Sequence, residues 1–199
     1  LAATCASANA GVIFSDNFDA EAGAAGNSVL NYNSFANWTV SDGTVDVVAN
    51  TNGWGIDCVG NTGKCVDLDG SNNNAGTLTS SALTLAAGSY TLSFDISGNQ
   101  RDGLDIMQMS LGGFVDYSVL LFAGDPWQTV VREFTVSEAT ANVISFNNHG
   151  GDNVGIMLDN VSLVSNNEGP GASVDEPATL ALLGLGLLGL GAARRKQQA

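Results

Sequence analysis

Carboxylates are the residues with the clearest chemistry in reach. Asp16-Asn17-Phe18-Asp19 stands early in the chain, and Asp159-Asn160 stands near the end of its main segment. Ca2+ is a hard ion that takes roughly six to eight oxygens from carboxylates, backbone carbonyls and water. If the first and last strands of one domain lie side by side, Asp19 and Asp159 meet and tie its two ends together through a structural calcium. Asp16 and Asp69 are further candidate ligands. The alternative is that Asp16 and Asp159 only cap turns and face solvent.

Sugar recognition needs a flat aromatic face beside amide, carboxylate or guanidinium groups. Trp54 lies in the glycine-rich stretch Asn52-Gly53-Trp54-Gly55, Tyr117 falls on an expected strand, and Asn99-Gln100-Arg101-Asp102 forms a polar loop. Trp54, Asn99, Arg101 and Tyr117 are therefore the expected ligand contacts, while Trp38 and Trp127 are expected in the core. The alternative for Trp54 is to plug the base of its own loop. Catalytic signals are weak by contrast. His149 is the only histidine and sits in a Gly/Asn-rich loop, where solvation or loop bonding is the ordinary role; no Gly-x-Ser-x-Gly elbow marks a nucleophile. Cys58 and Cys65 form the cysteine pair of the main segment. In an exported chain they are most simply a disulfide; free thiols or metal ligation are the alternatives, and no histidine or third cysteine stands nearby to complete a metal site.

These residues need a frame, and the apolar pattern supplies it. Alternation of period two marks strands with one buried face, at 11–14, 38–40, 44–48, 65–68, 76–78, 89–96, 104–110, 115–122, 127–136, 141–147 and 155–164. Turn clusters such as Asp42-Gly43, Asp69-Gly70-Ser71-Asn72 and Gly112-Gly113 separate them. In 89–96, Tyr90, Leu92, Phe94 and Ile96 face inward and Thr91, Ser93 and Asp95 outward. The last strand changes phase at Asp159-Asn160, as a β-bulge would make it do. The expected fold is all-β: a two-sheet antiparallel β-sandwich of jelly-roll type over residues 11–165, in which facing strands bury alternate residues. Charge narrows the partners. All 20 acidic residues of the chain fall between residues 11 and 176, against Lys64, Arg101 and Arg132 as the basic ones there. Such a domain repels nucleic acid.

Both flanks carry targeting signals. Residues 1–10 resemble the end of a secretory signal, with Ala8-Asn9-Ala10 as a small-x-small cleavage pattern. After a polar linker at 166–176, the uncharged stretch 178–193 has sixteen residues, about 24 Å as a helix. That is short of the roughly 20 residues needed to span a bilayer core, although Arg194, Arg195 and Lys196 can snorkel to the interface. A short C-terminal hydrophobic helix with membrane contact is expected over 177–199, its basic end toward the cytoplasm.

Asp175-Glu176-Pro177, the Leu/Gly-rich run and Arg194-Arg195-Lys196 resemble the sorting signal of bacterial PEP-CTERM proteins, whose usual Pro-Glu-Pro here lacks its first proline. The resemblance implies a Gram-negative source, export, a transient inner-membrane anchor, recognition by an exosortase and delivery to the cell surface or matrix. Phe14-Ser15-Asp16-Asn17-Phe18-Asp19, Leu85-Ala86-Ala87-Gly88-Ser89-Tyr90-Thr91-Leu92-Ser93-Phe94 and Gly155-Ile156-Met157-Leu158-Asp159-Asn160-Val161-Ser162-Leu163 resemble galactose-binding-like, carbohydrate-binding-module jelly rolls. In that family an early acidic residue and the aspartate of the closing strand hold calcium, which the resemblance implies for Asp19 and Asp159. The expected function is a noncatalytic surface or biofilm-matrix protein that associates with exopolysaccharide or with copies of itself. The alternatives are a carbohydrate-binding module with a defined glycan and, less favoured, a hydrolase.

Overall fold

In the computed structural model, which describes residues 11–50 and 54–167, the alternating segments become fourteen strands. They are β1 (Gly11–Asp16), β2 (Val29–Tyr32), β3 (Trp38–Ser41), β4 (Val45–Ala49), β5 (Lys64–Asp67), β6 (Thr77–Ser80) and β7 (Leu83–Leu85). The second half supplies β8 (Gly88–Ser97), β9 (Leu104–Leu111), β10 (Val115–Phe122), β11 (Gln128–Val136), β12 (Thr140–Asn142), β13 (Ile144–His149) and β14 (Met157–Ser165). One sheet runs β11-β8-β14-β5-β4-β2, with β1 also paired to β14; the other runs β10-β9-β13-β6-β3, and β12 pairs with β7. Every strand-to-strand pairing is antiparallel. The compact unit spans residues 11–166. The expected signal-peptide end, most of the linker, the hydrophobic helix and the sorting motif Asp175, Glu176 and Pro177 lie outside the described residues.

Alternation fixes which side chains meet between the sheets. Tyr90, Leu92, Phe94 and Ile96 of β8 are buried while the residues between them are only partly covered. Phe94 meets Phe146 of the opposite sheet edge-on at 5.2 Å, and Trp38 lies against Phe14 at 5.2 Å and Phe146 at 5.9 Å. Offset or edge-on ring pairs of this kind add about 0.5–1.5 kcal/mol beyond the area they bury. Trp38 is thus core, and its indole N–H is satisfied by Asp16 Oδ2 at 2.9 Å. A second, smaller apolar cluster of Val48, Ile56, Cys58, Cys65 and Met157 takes one side of Trp127.

Strand β14 is where the architecture turns. It pairs with β8 along one side, while its other side pairs first with β5, at Met157 and Leu158, and then with β1, from Val161 to Ser165. The handover falls at Asp159-Asn160. There the register with β8 shifts, and Asn160 adopts φ +49°. An extra residue in one strand bends it and re-aims its side chains, which is why Asp159 is buried beside the equally buried Leu158. The expected phase change at this dipeptide is therefore a bulge.

Two strands escape the alternation pattern, and one segment divides. β2 is short, carries a register shift and places Asn31 at φ +53°; β7 has only three residues. The segment 141–147 splits at Val143 into β12, which joins β7, and β13, which joins the five-stranded sheet.

Candidate functional site

Several loops converge at one end of the sandwich: 54–63, 68–76, 97–103, 123–127 and 150–156. Asp57 ties three of them together, 54–63, 97–103 and 123–127. Its N–H donates to Gln100 Oε1 and its carbonyl accepts from Gln100 Nε2 and from Trp127 Nε1, each at 2.9 Å. Gln100 itself adopts φ +60°, and its side chain closes this clamp between two loops. A disulfide joins Cys58 to Cys65 immediately behind, with Cα atoms 5.5 Å apart. Asn50 braces the same loop, accepting from Cys58 N at 3.0 Å and donating to the Asn61 carbonyl at 2.9 Å.

Trp54 and Arg101 line one cavity of about 250 Å3, together with Asp46, Asp67, Ser71 and Asn153. Trp54 is 46% exposed. Asp67 is almost completely buried; its Oδ1 accepts from the N–H groups of Asp69 at 3.0 Å and Gly155 at 2.9 Å, while Oδ2 is ion-paired with Arg101. Burial pushes the Asp67 carboxyl well above its ordinary value, against the opposing pull of the Arg101 guanidinium. Gly155 must be glycine here, because a Cβ would fall 2.4 Å from the Asp69 nitrogen. Asp46 is held by Asn31 N at 2.7 Å and by the Ser71 hydroxyl at 2.7 Å. The cavity therefore offers one aromatic face, one guanidinium already matched by a carboxylate, and several hydroxyl and amide groups.

The other two expected contacts lie elsewhere. Asn99 is buried: Nδ2 donates to Asp105 Oδ2 at 2.8 Å, and Oδ1 accepts from Arg101 N at 2.7 Å and Asp102 N at 3.0 Å. Its role is to shape the loop that carries Arg101. The Tyr117 ring packs edge-on to Phe94 at 5.9 Å with the Arg132 guanidinium 4.4 Å above it. Tyr117 lines a separate hollow of about 440 Å3 with Gln108, Ser110, Asp116, Ser145 and Asn147. Sequence reasoning missed Asp46 and Asp67, which the alternating pattern turns outward, whereas both faces of their strands are buried. It also placed Trp127 wholly in the core, whereas this residue walls a second cavity.

The four candidate calcium ligands separate as well. Asp16 is occupied by Trp38 and by Asn37 Nδ2 at 3.1 Å, and also caps Phe18 N at 2.9 Å. Asp69 belongs to the cleft end, where its Oδ2 accepts from Gly151 N at 2.8 Å. Asp159 and Asp19 are electrostatic neighbours. Burial raises the Asp159 carboxyl to about 7, the Asn160 and Val59 N–H groups oppose this, and the charges of Asp19 and Asp95 add to it. Asp19 Oδ1 accepts from Lys64 N at 2.8 Å, and it packs so closely on Gly63, at φ +69°, that a Cβ there would fall 2.0 Å away. Adjacent like charges, one of them buried, are the arrangement that a divalent cation relieves. Among the described residues no group of three His, Cys, Asp or Glu is arranged to hold a metal, so an ion at this pair also needs backbone carbonyls or water. Two loop carbonyls nearby, those of Glu21 and Gly23, already accept from the buried Lys64 ammonium.

Beyond the domain, residues 176–196 match the PEP-CTERM protein-sorting motif. The chain carries a PEP-CTERM sorting signal. It is exported by a Gram-negative bacterium, handled by an exosortase-type processing enzyme, anchored transiently in the inner membrane and passed to the cell surface or matrix. No curated protein matches this chain in sequence. In fold it is similar to the K3 cleaved adhesin domain of Lys-gingipain from Porphyromonas gingivalis W83, at 13% identity and TM-score 0.51, over 79% of this chain and 100% of that one. Other similar structures are TmCBM61 in complex with β-1,4-galactotriose (22% identity, TM-score 0.48, 66% of this chain and 90% of that one) and the CBM22-1 xylan-binding domain of Paenibacillus barcinonensis Xyn10C (10%, 0.47, 82% and 99%).

Proposed function

We propose that the β-sandwich is a noncatalytic carbohydrate-binding module that attaches this exported protein to a neutral glycan. The observation that carries the reading is the placement of an exposed Trp54 and Arg101 in one cavity with Asp46, Asp67, Ser71 and Asn153. An aromatic face stacks against a sugar ring, and the polar groups fix its hydroxyls. Because Asp67 neutralises Arg101 and the whole chain has a formal charge of −14, the site favours uncharged sugars over uronates. In this reading the protein is not an enzyme, and His149, exposed at the end of β13, is assigned no catalytic role. A glycan array probed with residues 11–166 tests the reading, with binding to neutral glycans that Trp54→Ala weakens as the expected result. Absence of signal, or binding that Trp54→Ala leaves intact, overturns it.

Self-association is the second reading, and one surface favours it. Leu104, Ile106, Leu120 and Phe122 are exposed on paired positions of β9 and β10, where β10 is the edge strand of its sheet. Open apolar edges template contact with another chain. Sedimentation of wild type against Phe122→Ser measures this directly, and a concentration-independent monomer in both excludes it.

We also propose a structural Ca2+ at Asp19 and Asp159. Its removal by a chelator should lower the melting temperature of wild type and leave Asp159→Asn unchanged. If the chelator moves neither, the buried Lys64 ammonium is the cation that gathers this loop, and Lys64→Met becomes the destabilising change.

A further inference from the structure

We infer that the glycan site extends past the Trp54 cavity into a second one walled by Trp127, so that the ligand is a neutral oligosaccharide laid across both. This rests on the glycan-binding reading above. Arg101 lines both cavities, and the consecutive residues Ile56 and Asp57 line one each. The second cavity has about 460 Å3 and is bounded by Asp57, Ser97, Gln100, Asp125 and Trp127 beside Arg101. The first, at about 250 Å3, falls below the range of roughly 300–1,000 Å3 typical of small-molecule sites, whereas the second lies within it, so a ligand seated at Trp54 finds its further room on the Trp127 side.

The second wall is built and not incidental. Trp127 is held by its indole N–H on the Asp57 carbonyl at 2.9 Å and by packing against the cluster around the disulfide. The same Asp57 peptide is clamped by Gln100, which fixes the spacing between the Trp54 loop and the Trp127 wall before any ligand arrives. Preorganisation of this kind lowers the ordering cost of binding. The charge pattern sets the sugar class. One guanidinium, Arg101, stands among Asp46 and Asp67 on one side and Asp57 and Asp125 on the other, so the arriving chain supplies hydroxyls and not further carboxylates.

The test is a chain-length series. The full chain is applied to an array of neutral oligosaccharides graded from one to six sugars, and the hits are measured by calorimetric titration. Affinity should rise about tenfold or more between one sugar and three or four. Trp127→Ala should remove that rise while keeping the short-ligand affinity, whereas Trp54→Ala weakens every length. Gly124→Leu is the independent probe: Gly124 lines the second cavity and a Cβ there meets nothing within 4 Å, so a bulky side chain is added at its wall without straining the fold. It should also abolish the gain with length. A flat length dependence, or a gain that survives both Trp127→Ala and Gly124→Leu, overturns the extended site; if Trp54→Ala still weakens binding, the glycan reading stands. No signal at any length overturns both.

Discussion

Two hollows of nearly equal size, about 460 Å3 beside Trp127 and about 440 Å3 on the five-stranded sheet, present different chemistry. On the sheet, paired positions form polar rows: Thr39, Thr79, Ser145, Ser110 and Asp116, then Ser41, Thr77, Asn147, Gln108 and Ser118. Several of these groups answer one another, as Asn147 Nδ2 does in donating to Thr77 Oγ1 at 2.9 Å. The aromatic nearest to them, Tyr117, has Phe94 against it and Arg132 over its ring. At the loop end, by contrast, Trp54 is exposed and Arg101 adjoins both cavities. Volume does not distinguish the two; the presence of a half-exposed tryptophan and a positioned guanidinium does.

The contrast is open to attack at four points, beginning with stability. Burial raises the carboxyls of Asp67, Asp69 and Asp105 above their ordinary value of 3.8, so each holds its proton more tightly folded than unfolded. Their stabilising contribution is complete below pH 3.8 and is lost as pH rises through the elevated range. The melting temperature of the chelated protein should therefore fall from pH 4 toward neutrality, and Asp67→Asn should flatten the slope; a melting temperature that rises over this range contradicts the burial argument. Next in size is Arg101→Ala, which strands a buried carboxylate and should cost about 2 kcal/mol, less than a fully enclosed pair because the guanidinium is partly exposed. Denaturant melts measure that loss, and titration should show binding lost with it.

Trp54→Ala should weaken glycan binding about tenfold, roughly 1.4 kcal/mol, with an unchanged melt; a parallel loss of stability would make this residue a loop plug. The smallest effect is expected on the sheet. The double substitution Gln108→Ala, Ser145→Ala should alter affinity less than about twofold, within the few tenths of a kcal/mol usual for surface changes. A larger loss there would move the site to the sheet face.

Much of the frame was legible because alternation is a physical consequence of burying one face. The inward set of β8 and the bulge at Asp159-Asn160 both follow from residue order alone. β2 and β7 were not, since three or four residues carry too little periodicity. The site was legible only in part. Trp54 and Arg101 announce themselves by chemistry, and the structure brings them together. Tyr117 is equally suited by type, yet its packing against Phe94 and Arg132 depends on strands far apart in sequence. Asp67 and its Arg101 partner are 34 residues apart, and nothing local in Lys64-Cys65-Val66-Asp67 marks one member as half of an ion pair. Trp127 sits at a strand start where the pattern favours the core, and only the loop clamp at Asp57 makes it a wall.

The pairing of β14 has a mechanical meaning. The last strand before the sorting tail has neighbours on both sides, β8 on one and β5 followed by β1 on the other. A pull on the chain at Ser165 therefore loads two rows of hydrogen bonds at once and does not peel an edge strand away. If the domain holds a glycan through its loops as proposed, tension applied from its C-terminal side falls on a strand braced along both edges.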